Sequence, residues 1–162
     1  MIKLLPYLFY LLLIAMHEVI WKDFSGLYFV ALNLPAMIVA MVATYKSETA
    51  AAWFGFLAGL VLAAANPATM GWHALFLAAL AVGVYHIKEK LNLESIYSKL
   101  LLIVGTVLVH NIASIIINGT DRFFYTLWMY CLPSAAFTTV LAWVFFLFKE
   151  RKVTTEKLKS VF

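Results

Sequence analysis

The chain has 162 residues, 65% hydrophobic and 12% charged, with a mean hydropathy of +0.94. A soluble domain of this length cannot hide so much apolar surface, which leaves one polytopic helical membrane domain. The net charge of +4 does not point to nucleic acid, because the basic residues gather at the ends of apolar runs, where membrane topology accounts for them.

In chain order the apolar runs predict six transmembrane helices. The first covers Leu4–Ile20, with Pro6 in its opening turn, where a missing N–H does no harm. No small-residue cleavage site precedes His17-Glu18, so this run reads as a retained span rather than a signal peptide. The second, punctuated by Gly26, Asn33 and Pro35, is expected as a discontinuous span over Leu27–Tyr45, with a short interfacial piece before a shorter helix as the alternative. Helix three is expected over Thr49–Ala65 and helix four over Met70–Ile87, joined by the turn signal Asn66-Pro67. The polar stretch Lys88–Ser95 reads as a loop or surface helix. Helix five is expected over Ile96–Ile117, ending at Asn118-Gly119, and helix six over Phe123–Phe148 with a kink at Pro133. Residues 1–148 thus form the membrane domain and 149–162 a basic tail, solvated or resting on anionic membrane lipid. The lone Cys131 excludes an intrachain disulfide and reads as a small hydrophobe.

Small residues recur every fourth position in helix three: Ala51, Gly55, Gly59 and Ala63. They lie on one slowly drifting stripe. In lipid, close backbone approach at small residues is what lets helices pack, so a neighbour is expected against this face. An intrachain helix is the simpler occupant and a partner's span the alternative. With both termini inside, ten basic residues fall on the inner side and only Lys22 and Arg122 on the outer, which fixes the orientation by the positive-inside rule.

Ionisable groups inside spans are expensive and become functional candidates. His17 and Glu18 near the outer end of helix one, His73 opening helix four, and His110-Asn111 in the outer half of helix five are placed to converge on an outward pocket. The plainer alternative is snorkelling at helix ends and a single interhelical hydrogen bond for His110. His86, beside Lys88, reads as an interface residue. No HExxH, GxSxG, paired-aspartate or Walker pattern occurs, so no enzyme and no cofactor is expected. Adjacent His17-Glu18 lacks metal-ligand spacing. Asn118-Gly119-Thr120 matches a glycosylation sequon but is more simply a turn.

Several short segments recur in a telling order. Leu34-Pro35 opens a span, followed by Gly55-Phe56-Leu57-Ala58-Gly59-Leu60 and Met70-Gly71-Trp72-His73-Ala74-Leu75. Leu132-Pro133-Ser134-Ala135 and Thr138 come later, before a short basic tail. This layout resembles MreD, the small membrane protein of the bacterial rod-shape machinery, over roughly residues 30–148. It departs where the family often carries acidic residues, at Ala36 and Ala63. The resemblance implies a non-enzymatic scaffold in the cytoplasmic membrane that supports lateral peptidoglycan synthesis. Its implied partners are MreC, RodA, a class B penicillin-binding protein and the MreB filament. A partner's single span would dock on Gly55, Gly59 and Ala63, or on the weaker pair Ala79 and Gly83. The family is in turn similar in fold to the substrate-binding subunits of energy-coupling-factor transporters. That implies, as an alternative, a solute-binding membrane subunit with His17, Glu18, His73, His110 and Asn111 lining its pocket. Against it, helix one shows Leu5, Phe9 and Leu13 with Ala15 alone, not a small-residue pair.

Overall fold

Six helical rods, with no strand between them, make up the described residues 4–21, 32–91, 95–117, 119 and 122–159 of this computed structural model. The first is α1 (Leu5–Met16), running on into a π turn over His17–Trp21. Then come α2 (Leu34–Tyr45), α3 (Glu48–Leu62), α4 (Pro67–Lys90) and α5 (Ile96–Ile117). The last rod is α6 (Phe123–Thr126), a π turn over Leu127–Cys131, and α7 (Leu132–Lys159).

The core is organised around α2. Every residue from Pro35 to Ala43 is buried, as expected of a helix that is apolar on all sides. One side joins Ile14, Phe54, Ala58, Leu77, Ala81 and Leu102 through Ile38, Val39 and Val42. The other joins Ile103, Val107, Ala135, Ala142 and Phe146 through Ala36, Met37, Ala40 and Met41. Thus α2 packs against α1, α3, α4, α5 and α7. It is short, about 18 Å at 1.5 Å per residue, and both ends are tied. The Asn33 side chain caps its start, Oδ1 accepting from the Ala36 N–H at 3.1 Å. At its end the Lys88 ammonium donates to the carbonyls of Ala43, Thr44 and Lys46 at 2.7, 3.3 and 2.8 Å.

The stripe on α3 is filled from within. A Cβ added at Gly55 would lie 2.5 Å from the Leu77 carbonyl oxygen, and one at Gly59 would lie 2.6 Å from the Ala74 nitrogen and against the His73 carbonyl. Since α3 and α4 touch backbone to backbone, only glycine fits at these two positions. Ala51 and Ala63 on the same stripe are buried too. The expectation that Gly55 and Gly59 receive a partner's span is therefore corrected, because α4 of the same chain closes that face; Ala63, just past the end of α3, is buried beside a cavity instead.

Other boundaries shift for local reasons. Pro67 and Asn66 open α4 three residues before the expected start, with Pro in its favoured first turn. In turn α3 stops at Leu62, where Asn66 N–H bonds back to the Ala63 carbonyl at 2.9 Å. Residues 22–31, which include the expected start of the discontinuous span at 27, lie outside the described residues. Pro133 cannot donate, which leaves the Met129 carbonyl without its helical partner. The irregularity falls within the preceding turn, Leu127–Cys131, as a π turn rather than at the proline itself. Gly119, at φ +61°, closes α5 with its N–H on the Ile116 carbonyl at 3.3 Å. The backbone of α7 runs unbroken past 148 to Lys159, so no structural break separates domain from tail.

Among the described residues, three helices are long and apolar enough to cross a membrane: Pro67–Lys90, Ile96–Ile117 and Phe123–Lys149. The helices Leu5–Ile20, Leu34–Tyr45 and Glu48–Leu62 are apolar but shorter, and fall below the ~20 residues that a ~30 Å hydrocarbon layer requires. Many large apolar side chains face outward. Leu8, Phe9, Trp53, Trp72, Trp128, Phe137 and Trp143 all stand exposed.

Candidate functional site

Where α2 begins and α3 turns into α4, a cavity of about 360 Å³ opens. His17, Glu18, His73, His110 and Asn111 all line it. Five structural pieces supply its walls. The π turn after α1 brings His17 and Glu18, the N-cap of α2 brings Asn33, and the α3–α4 turn and first turns of α4 bring Asn66, Thr69 and His73. From α5 come His110, Asn111 and Ser114, and from α7 Ser134. On an α-helix His17 and Glu18 point apart. The wider winding of the π turn lessens that divergence, and both reach the cavity. Among the described residues no group of three or more His, Cys, Asp or Glu could hold a metal ion.

Asn33 is the hub. Its Oδ1 is taken by the Ala36 N–H, so its Nδ2 is the donor to Asn111 Oδ1 at 2.5 Å and to His110 Nδ1 at 2.7 Å. Its own N–H donates to Thr138 Oγ1 at 3.1 Å, and that hydroxyl donates to the Ser134 carbonyl at 2.7 Å. Asn111 Nδ2 reaches the Cys131 carbonyl at 3.4 Å. One residue thus ties α2, α5 and α7 together beside the cavity.

This geometry fixes the His110 tautomer. An Nδ1 that accepts from Asn33 has no proton, so the neutral ring carries its hydrogen on Nε2. His110 is 5% exposed and, among the described residues, Nε2 has no hydrogen-bond partner. An unsatisfied buried donor costs about 1–3 kcal/mol. Beside the cavity, His110 Nε2 is therefore a buried donor without an acceptor among the described residues.

Sequence reasoning missed Asn33 as a functional residue and read it as punctuation. The usable signal was a polar cap followed by Pro in a first helical turn, which marks a helix start inside the apolar run. Ser134 and Thr138 carried the resemblance but were assigned no role. Ala63, one of the two departures from the family pattern, is on the cavity wall, whereas Ala36 is sealed in the core.

A second opening has a different character. Between α4 and α5 runs an apolar groove of about 490 Å³, lined by Ala79, Gly83, Leu101, Gly105 and Val109 among others. A Cβ at Gly83 or Gly105 would meet nothing within 4 Å. Its one hydroxyl, on Thr106, is satisfied by the Leu102 carbonyl at 2.7 Å. Of the five small residues expected to take a partner, Ala79 and Gly83 are on this open face. Gly105 joins them from α5 and was not anticipated.

The end of α2 remote from the cavity is basic. Besides Lys88, Lys46 lies over the Tyr7 ring at 5.6 Å, Lys99 over Phe146 at 6.0 Å and Lys149 over Tyr45 at 3.1 Å from the ring centroid. His86 meets Glu48 at 3.5 Å on the same side, both largely exposed, as an interface residue would.

Fold and site together define, over the described residues, an all-helical protein with three helices long and apolar enough to cross a membrane, a polar cavity at one end and a lysine cluster at the other. No family model, curated protein or solved structure matches the chain.

Proposed function

We propose that the chain is a multi-pass scaffold of the MreD type in the bacterial cytoplasmic membrane, non-enzymatic, with both termini in the cytoplasm. In this reading the three shorter helices also lie within the bilayer, sheltered by the longer ones, and the described lysines mark the cytoplasmic end. The scaffold holds the single span of an MreC-like protein in the groove of Ala79, Gly83 and Gly105, and through it the MreB filament, RodA and a class B penicillin-binding protein.

The observation that carries this reading is the meeting of the motifs behind the resemblance. Asn33 beside Leu34-Pro35 bonds Thr138, 105 positions away. Gly59 of the glycine segment is seated on His73-Ala74 of the Met70–Leu75 segment. Pro35, His73 and Ser134 share one cavity wall. Soft motifs that belonged to separate functions would have no reason to assemble around one point.

The test is gentle detergent extraction of the tagged protein at native level, with mass spectrometry of what accompanies it. A bitopic MreC-like protein is expected with the wild type and lost with Gly83→Leu, a substitution the open groove accommodates without disturbing the fold. Its absence from wild-type extracts counts against the scaffold.

A second reading, a solute-binding membrane subunit, is favoured by the cavity, which His17, Glu18, His73, His110 and Asn111 all line. An ATPase pair with a coupling subunit in the same extract would establish that reading instead.

A further inference from the structure

The lysine end of the bundle holds a pocket of its own. Where α1 begins, α2 ends and α7 passes, a space of about 190 Å³ is lined by Pro6, Met41, Val42, Tyr45, Lys46 and Lys149 among others. Two ammonium groups thus share one small pocket, and no Asp or Glu is among its described lining residues. The charges of Lys99 and Lys46 both repel Lys149. What the two pocket lysines meet is aromatic: Tyr7 for Lys46, and Tyr45 and Phe145 for Lys149. A ring face attracts an ammonium but carries no net charge, so the repulsion between the lysines stands. The carbonyls of Ala43, Thr44 and Lys46 at the end of α2 are met by Lys88 instead. Among the described residues no carboxylate or carbonyl pairs with Lys46 or Lys149.

An anion between the two ammonium groups would accept charge-assisted hydrogen bonds from both and offset their repulsion. Lys149 ends the membrane-length stretch Phe123–Lys149, which sets the pocket at the depth where hydrocarbon gives way to headgroups. Pro6, Met41 and Val42 add an apolar side, suited to the carbons that a lipid phosphate carries and a free phosphate lacks. We propose that this pocket binds the phosphate group of an anionic phospholipid, held between Lys46 and Lys149. The proposal rests on the chain's place in a membrane but not on the scaffold, since pocket and groove share no lining residue. Failed capture of an MreC-like protein leaves it standing, and its own failure leaves the groove standing.

The test titrates dioctanoyl phosphatidylglycerol into the full-length protein in dodecyl maltoside micelles, with the thermal unfolding midpoint as readout. Dioctanoyl phosphatidylcholine has the same chains but no net charge, and sodium phosphate has the charge without the chains. Only phosphatidylglycerol is expected to raise the midpoint. Lys46→Gln and Lys149→Gln should each raise the half-maximal lipid concentration about tenfold, through loss of one charge-assisted hydrogen bond. Lys90→Gln removes the same charge at an exposed site outside the pocket and should respond as the wild type does. Should Lys149→Gln fail to fold, Lys46→Gln carries the test, because the Lys46 side chain is exposed. No gain with phosphatidylglycerol, or an equal gain with phosphatidylcholine or sodium phosphate, would overturn the proposal. So would a loss in Lys90→Gln as large as in the pocket variants, or pocket variants that respond as the wild type does.

Discussion

Gly59→Ala is a small change with a large expected cost. An added Cβ would press on the backbone of His73 and Ala74, with the Ala74 nitrogen 2.6 Å away. Backbone atoms inside a helix cannot swing aside as a side-chain tip does, so α3 and α4 must separate along their contact. Overpacking of this kind typically costs about 1–3 kcal/mol, and a backbone obstacle places it at the upper end. Alanine returns about 1 kcal/mol through its better helix propensity. The net loss is then about 2 kcal/mol. Gly83→Ala is the matched control. Its Cβ meets nothing within 4 Å, so only the propensity gain of about 0.5–1 kcal/mol remains. Reversible unfolding in mixed detergent micelles, followed by tryptophan fluorescence, measures both. The two variants should move the midpoint in opposite directions. A Gly59→Ala protein as stable as Gly83→Ala would refute the backbone contact and with it the intrachain closure of the stripe.

Two further substitutions test the ties on α2 in the same assay. Thr138→Val preserves shape but strands the buried Asn33 N–H, at a cost of about 1–3 kcal/mol. Thr139→Val, which loses only a bond to the Ala135 carbonyl of its own helix, should change stability by much less, and equal effects would remove Thr138 from the network. Lys88→Met keeps the aliphatic stem and removes a donor to three carbonyls, where water can partly substitute, so about 1–2 kcal/mol is expected. A fully stable Lys88→Met would mean that the end of α2 needs no cap.

The order of the rods was legible because strong punctuation separates them. Asn66-Pro67, the charged residues from Lys88 and Asn118-Gly119 each break an apolar run, and the run Ile96–Ile117 forms α5 as read. The four-residue spacing of Gly55 and Gly59 was equally legible as a close-contact face, but spacing alone cannot name the occupant. Convergence of the polar residues followed from their expected positions at the same ends of their apolar runs. The central place of α2 did not follow. A uniformly apolar stretch reads alike whether lipid or protein surrounds it, and only the packing shows that Pro35–Ala43 touch protein on every side. Asn33 was hidden for a related reason. A polar residue at a break looks like a loop signal until the structure places that break inside the bundle. Gly105 is one isolated glycine in a long helix, and it gains meaning only opposite Gly83.

The most direct test of the scaffold places a photo-crosslinking amino acid at position 79 on the groove, in living cells. The same amino acid at position 12, on the exposed face of α1, is the comparison. Irradiation should join position 79, and not position 12, to a single-span MreC-like protein. Adducts to lipid alone at 79, or the same protein captured equally from 12, would contradict the groove as its seat.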